Sequence, residues 1–100
     1  VFRLPGSLEA GTWTITIGHL RSTNAGIYTF AHSVDGSTWT SHGTTIDGYN
    51  GSIAAQRSEL TGVTIPDGTQ YVRLRMTAKN ASSSSYVGWL NFIGGLRTGA

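Results

Sequence analysis

A chain of 100 residues with 25 Ser and Thr, 14 Gly, no Cys and 12 charged side chains fits a single domain of short strands and frequent turns, and argues against a helical fold. The net charge of +2, with a pI near 9.4, is too small to point by itself to nucleic acid. Without cysteine there is no disulfide, thiolate metal site or cysteine nucleophile, and no apolar run reaches the roughly 18 residues of a transmembrane helix.

Along the chain, Val1 to Leu4 reads as a short strand ended by Pro5-Gly6. In Thr12–Leu20, Trp13, Ile15 and Ile17 alternate with Thr12, Thr14 and Thr16, which is the period of a strand with one buried and one hydroxylated face. Gly18 interrupts that pattern and marks a bulge. After the polar loop Arg21–Ala25, the run GIYTFAHSVDGSTW (Gly26–Trp39) reads as a strand, an Asp35-Gly36 turn and a returning strand from Ser37 to Ile46. Asp47–Ser58 carries two turn signals, Asp47-Gly48 and Asn50-Gly51, with a short edge strand at Ser52–Ala55.

Glu59–Ile65 is a strand stopped by the turn Pro66-Asp67-Gly68. Gln70–Lys79 is the most regular amphipathic strand. Val72, Leu74, Met76 and Ala78 share one face, and Tyr71, Arg73, Arg75, Thr77 and Lys79 share the other. Asn80–Ser85 is a small-residue loop, and Tyr86–Thr98 is the last long strand, with a bend at Gly94-Gly95.

That last strand is apolar on both sides. Tyr86, Leu90 and Phe92 alternate with Val87, Trp89 and Ile93. A small antiparallel sandwich buries one face of a strand, so the second face calls for cover from a neighbouring chain or another domain, the alternative being a fully buried central strand. Val87, Trp89 and Ile93 are therefore expected at an oligomer interface. His32, in phase with Tyr28, Phe30 and Val34, belongs either to the core or to the same seam.

Chemistry-bearing patterns are sparse. No G-x-S-x-G elbow is present. The two glutamates, Glu9 and Glu59, lie far apart in sequence, whereas a glycosidase needs two carboxylates about 5–9 Å apart across a cleft. His19, His32 and His42 have no metal-ligand spacing, and Asp35, Asp47 and Asp67 each precede Gly, as turn residues do. The reading is non-enzymatic, with no cofactor and no metal. A sugar site needs an aromatic platform beside fixed polar groups. Asp47, Tyr49 and Asn50, with Arg57 close in sequence, form the best such cluster. Trp13 and Trp39 read as core anchors. The stripe of Arg73, Arg75 and Lys79 is either a solvated face or a patch for phosphate or acidic glycan.

Two resemblances rest on these residues. YTFAHSVDGSTWT (Tyr28–Thr40) resembles the hairpin of discoidin and related galactose-binding-like jelly rolls, which implies fold more than site. Over most of the chain, GTWTITIGHLRSTNAGIYTFAHSVDG, then LTGVTIPDGTQYVRLRMTAKNASSSSYVG, then the end LRTGA resemble small jelly-roll domains of bacteriophage tail fibres and other virion fibres. That resemblance implies a homotrimeric knob that binds a bacterial surface glycan or decorates the particle.

The sequence therefore predicts an all-β antiparallel jelly-roll β-sandwich of about seven or eight strands over residues 1–100. The expected role is a trimeric fibre or virion domain that contacts cell-surface polysaccharide, with neither nucleic-acid binding nor membrane insertion. A carbohydrate-binding module appended to a secreted enzyme and a purely structural trimerisation domain are the alternatives. Freedom from cysteine fits a virion part assembled in a bacterial cytoplasm and used outside. The start at Val1, without a signal-peptide pattern, reads as an excised domain or the end of a longer protein.

Overall fold

In the computed structural model, which describes residues 1–100, the chain runs as eight strands: β1 (Phe2–Leu8), β2 (Gly11–Arg21), β3 (Ile27–Ser33), β4 (Thr40–Ser41), β5 (Ile46–Asp47), β6 (Ala54–Ile65), β7 (Thr69–Ala78) and β8 (Trp89–Gly99). They form two antiparallel sheets packed as a β-sandwich. One has the order β1-β7-β3-β4, with β5 also paired to β3, and the other has the order β6-β2-β8. The chain changes sheet at every connection except those joining β3, β4 and β5.

The alternation read in the sequence sets the layers. Ile15 and Ile17 of β2 face Tyr28 and Phe30 of β3 across the interior, with Leu60, Val63 and Ile65 from β6 and Val72 from β7. Phe30 is fully buried, and removing its ring would cost about 3–5 kcal/mol. On β7, Val72, Leu74 and Met76 pair with inward residues of β3, while Tyr71, Arg73 and Arg75 pair with outward ones. Trp13 packs half-buried against the core, with its indole N–H donating to the Glu9 carbonyl at 3.0 Å.

Four local expectations are corrected. First, β1 does not end at Pro5-Gly6. It is an edge strand, where proline costs no ladder bond, and its register slips between Arg3 and Leu8 to absorb the Pro-Gly pair. Second, β6 begins at Ala54 and runs unbroken to Ile65, so Arg57 and Ser58 lie on a strand rather than in a loop. A bulge at Thr61-Gly62, with Gly62 at φ 66°, keeps both halves in register with β2.

Third, the Asp35-Gly36 hairpin is wider than a two-residue turn. Ala31 pairs with Ser41 and His32 with Thr40, leaving a loop from Val34 to Trp39. Asp35 organises it: its Oδ1 accepts from the Ser37 and Thr38 amides at 2.8 and 2.9 Å and from the Ser33 hydroxyl at 3.0 Å. Those donors hold the carboxyl below the ordinary aspartate range, the Thr38 amide first. Fourth, Trp39 is not a core anchor. It is half-exposed on the outer surface of the larger sheet, with the Arg73 guanidinium carbon 4.5 Å from its ring centroid.

Candidate functional site

The segment after β5 is built by short-range hydrogen bonds. Asp47 Oδ1 accepts from the Tyr49 amide at 2.9 Å, and Oδ2 accepts from the Asn80 side chain at 2.8 Å. Arg21 Nη2 donates to the Tyr49 carbonyl at 2.7 Å. The Asn50 amide donates to the Ser22 carbonyl at 3.0 Å, and the Asn50 side chain donates to the Ser52 carbonyl at 2.8 Å. The structure thus brings Asp47, Tyr49 and Asn50 together: the Tyr49 carbonyl and Asn50 amide tie the loop to Arg21 and Ser22, and the Asp47 carboxylate ties it to Asn80. Arg57 stands apart on the outward face of β6, opposite Gly18, with its guanidinium carbon 5.7 Å from the Phe92 ring centroid.

Beside that loop, β5 and β6 part to leave a polar groove of about 200 Å³, lined among others by Arg21, Asp47, Gln56, Ser58 and Glu59. His19 lies behind it. Its Nε2 is 2.9 Å from Ser58 Oγ, and its ring meets Tyr28 edge-on at 5.7 Å. Burial, then the Arg21 charge, holds the His19 pKa below the ordinary histidine value, so the ring is neutral near pH 7. A hydroxyl bonded to a neutral imidazole forms the first two members of a nucleophile–base–orienter chain. The third member is not in place, because His19 Nδ1 has no hydrogen-bond partner. No motif signals this pair, whose members stand 39 positions apart.

The opposite side of the sandwich is apolar and open. β1 and β8 are edge strands of different sheets, and between them runs a groove of about 320 Å³ lined by Phe2, Leu4, Val72, Leu90, Phe92 and Ile93 together with Asn91. The alternation expected along the last strand is broken here. Gly18 pairs with Phe92, whereas the next residue, His19, pairs with Leu90, so Asn91 is bulged out. As a result Trp89 and Phe92 share the outward face, and Leu90 and Ile93 share the inward one.

The four residues expected at one interface do not lie together. Trp89 is exposed on β8 and Ile93 packs half-buried against the core. Val87 precedes the strand, and its backbone is tied to Asn24 and Gly26. His32 is buried on β3 and lines a separate cleft of about 270 Å³ beneath the Val34–Trp39 loop. Burial, then the neighbouring His42, lowers its pKa. No three His, Asp or Glu side chains converge as a metal-binding group. No protein-family model matches the chain, and no curated protein or solved structure matches it either.

Proposed function

We propose that the chain is a non-enzymatic binding and decoration domain that works as a homo-oligomer, a trimer of the kind found in the virion-fibre jelly rolls it resembles, and presents its outer surfaces to cell-surface glycan. The open seam between β1 and β8 carries this reading. Of the nine large apolar side chains exposed to solvent, Val1 and Phe2 lie at β1, and Trp89, Leu90, Phe92 and Leu96 lie on β8. Phe2, Leu90 and Phe92 line the seam itself, while Trp89 and Leu96 stand on the adjoining outward face of β8, a concentration of exposed apolar side chains of the kind that marks an interaction surface. Both flanking strands also offer unpaired edges, which a neighbouring copy can cover.

Light scattering coupled to size exclusion tests the reading. The chain should run at about three times its 10.6 kDa mass. Leu90→Glu and Phe92→Glu should each return it to a monomer with unchanged circular dichroism. Ile53→Glu, at a more exposed apolar residue that does not line the seam, should leave the assembly intact. A wild-type chain that stays monomeric at every accessible concentration would overturn the proposal.

A further inference from the structure

The outward face of the larger sheet gathers positive charge that the fold does not use. Arg3 pairs with Tyr71 across β1 and β7, Ala31 pairs with Arg73 and Thr29 pairs with Arg75 across β3 and β7. The residues between them point into the sandwich, so the three arginines share the solvent side. Successive same-face positions lie about 6.6 Å apart along a strand, which sets the three guanidinium stems on a track of roughly 13 Å.

Two aromatic rings flank this track. Trp39 lies against Arg73, and Gly36 brings the hairpin loop down onto the Tyr71 ring, whose carbons lie 3.4 Å from the position a Cβ would take. Of the sheet's five strands, β1, β3, β4 and β7 contain three of the chain's seven cationic residues and none of its five acidic ones, and β5 adds Asp47, whose carboxylate is held by the Tyr49 amide and the Asn80 side chain. Asp35 borders the face, but its Oδ1 is already shared by three donors. Elsewhere arginines serve the fold: Arg21 holds the Tyr49 carbonyl and Arg97 holds the Ala10 carbonyl. Arg3, Arg73 and Arg75 make no such bond, and Arg73 Nε is shut off from solvent without a partner.

We propose that this face binds an acidic polysaccharide, a chain of sugars bearing carboxylate or sulfate groups. Guanidinium forks match such groups with two parallel hydrogen bonds. The indole and phenol rings offer apolar surface to sugar C–H faces. The exposed Ser41 hydroxyl and the Thr29–Thr77 hydroxyl pair stand on outward positions beside β7 and suit sugar hydroxyls. A flat track fits a polymer better than an enclosed small molecule. Single-stranded nucleic acid would ask for a longer run of stacking rings and more charge. The inference shares the expectation of a glycan with the proposed function, but the site lies within one chain and does not rest on assembly.

Isothermal titration of the full chain with polygalacturonate, dextran sulfate, neutral dextran and an oligothymidylate tests it. Both acidic polysaccharides should bind, neutral dextran should not, and affinity should fall as salt is raised. Arg73→Gln and the exposed Arg75→Gln should each weaken binding about tenfold, and Trp39→Ala should weaken it too. Arg97→Gln, which removes the same charge elsewhere, should change affinity less than twofold, as a distant exposed charge does. The proposal falls if neither acidic polysaccharide binds, if Arg97→Gln costs as much as Arg73→Gln, or if the oligothymidylate binds more tightly than either polysaccharide. Light scattering on the same samples separates the two proposals. A monomer that binds removes the assembly reading alone, and an oligomer that does not bind removes this one alone.

Discussion

Acid should destabilise the sandwich well before its carboxylates titrate, because two histidines are held neutral inside it. His19 and His32 are each all but removed from solvent, at 1% and 5% exposure. Burial is the first cause lowering both, followed by Arg21 for His19 and His42 for His32. In the unfolded chain both titrate near 6.5. Below that pH the unfolded state binds more protons than the folded one, so stability is fully present above pH 6.5 and is lost as pH falls toward the folded values. One proton difference per histidine sets a ceiling of about 1.4 kcal/mol per pH unit, or about 2.7 for the pair. Solvent relaxation around the charged rings reduces it, so a drop of about 1–2 kcal/mol between pH 7.5 and 5.5 is expected. For a domain of this size that corresponds to a melting temperature lower by about 5–15 °C. Asp35 does not contaminate the window, since its carboxyl is held below the usual 3.8 and stabilises until pH falls through that range. Urea unfolding at closely spaced pH values measures the slope directly. His19→Gln and His32→Asn should each flatten it by about half. Equal urea midpoints at pH 7.5 and 5.5, or a slope that survives in the double variant, would refute the assignment of neutral buried rings.

Two further outcomes follow from close contacts. Gly18→Ala drives a Cβ into the Phe92 ring, which lies across that glycine toward Arg57, and should cost about 1–2 kcal/mol. In a Phe92→Ala background the same change should be neutral or slightly stabilising, so a double-mutant cycle by urea unfolding that shows no coupling would rule the packing out. Asp35→Ala removes the acceptor of the Ser37 and Thr38 amides, and both should exchange faster with deuterium while the β3–β7 ladder stays protected.

The strands were legible where one face is buried and one is wet. Ile15 and Ile17 against threonine, and Val72, Leu74 and Met76 against arginine, report their layers in the sequence itself, because side chains alternate at every residue. Trp39 was not legible, because its wide loop carries it to the outer surface, where an arginine 34 positions along the chain supplies its contact. The faces of the last strand were not legible either. A single bulged residue, Asn91, exchanges the sides of everything before it, and whether a strand bulges is decided by its partner. The candidate loop was partly legible: its Asp-Gly and Asn-Gly turns located Asp47, Tyr49 and Asn50. The strand running through Arg57 was hidden by the polar residues of an edge that has no second sheet partner.

The two open sides of the sandwich are finished differently, and the contrast bears on what covers the apolar one. Two sheets of unequal width leave gaps where their edges fail to meet. Between β5 and β6 the gap is lined mainly with polar groups, and Asp47 and Arg21 there bond to Asn80 and Tyr49, an arrangement that is stable in water. Between β1 and β8 the lining is apolar apart from Asn91, and the edges carry Phe2, Trp89 and Leu90 with no polar side chain bonded across. At 36–45% exposure, each such side chain forgoes about 0.5–1 kcal/mol by staying partly wet instead of fully buried. A domain with so few charges elsewhere has little to offset an apolar seam in solution. Under the proposed assembly a neighbouring copy covers that seam; Arg73 and Arg75, on β7, then stay clear of it, whereas Arg3, on β1 between Phe2 and Leu4, borders it.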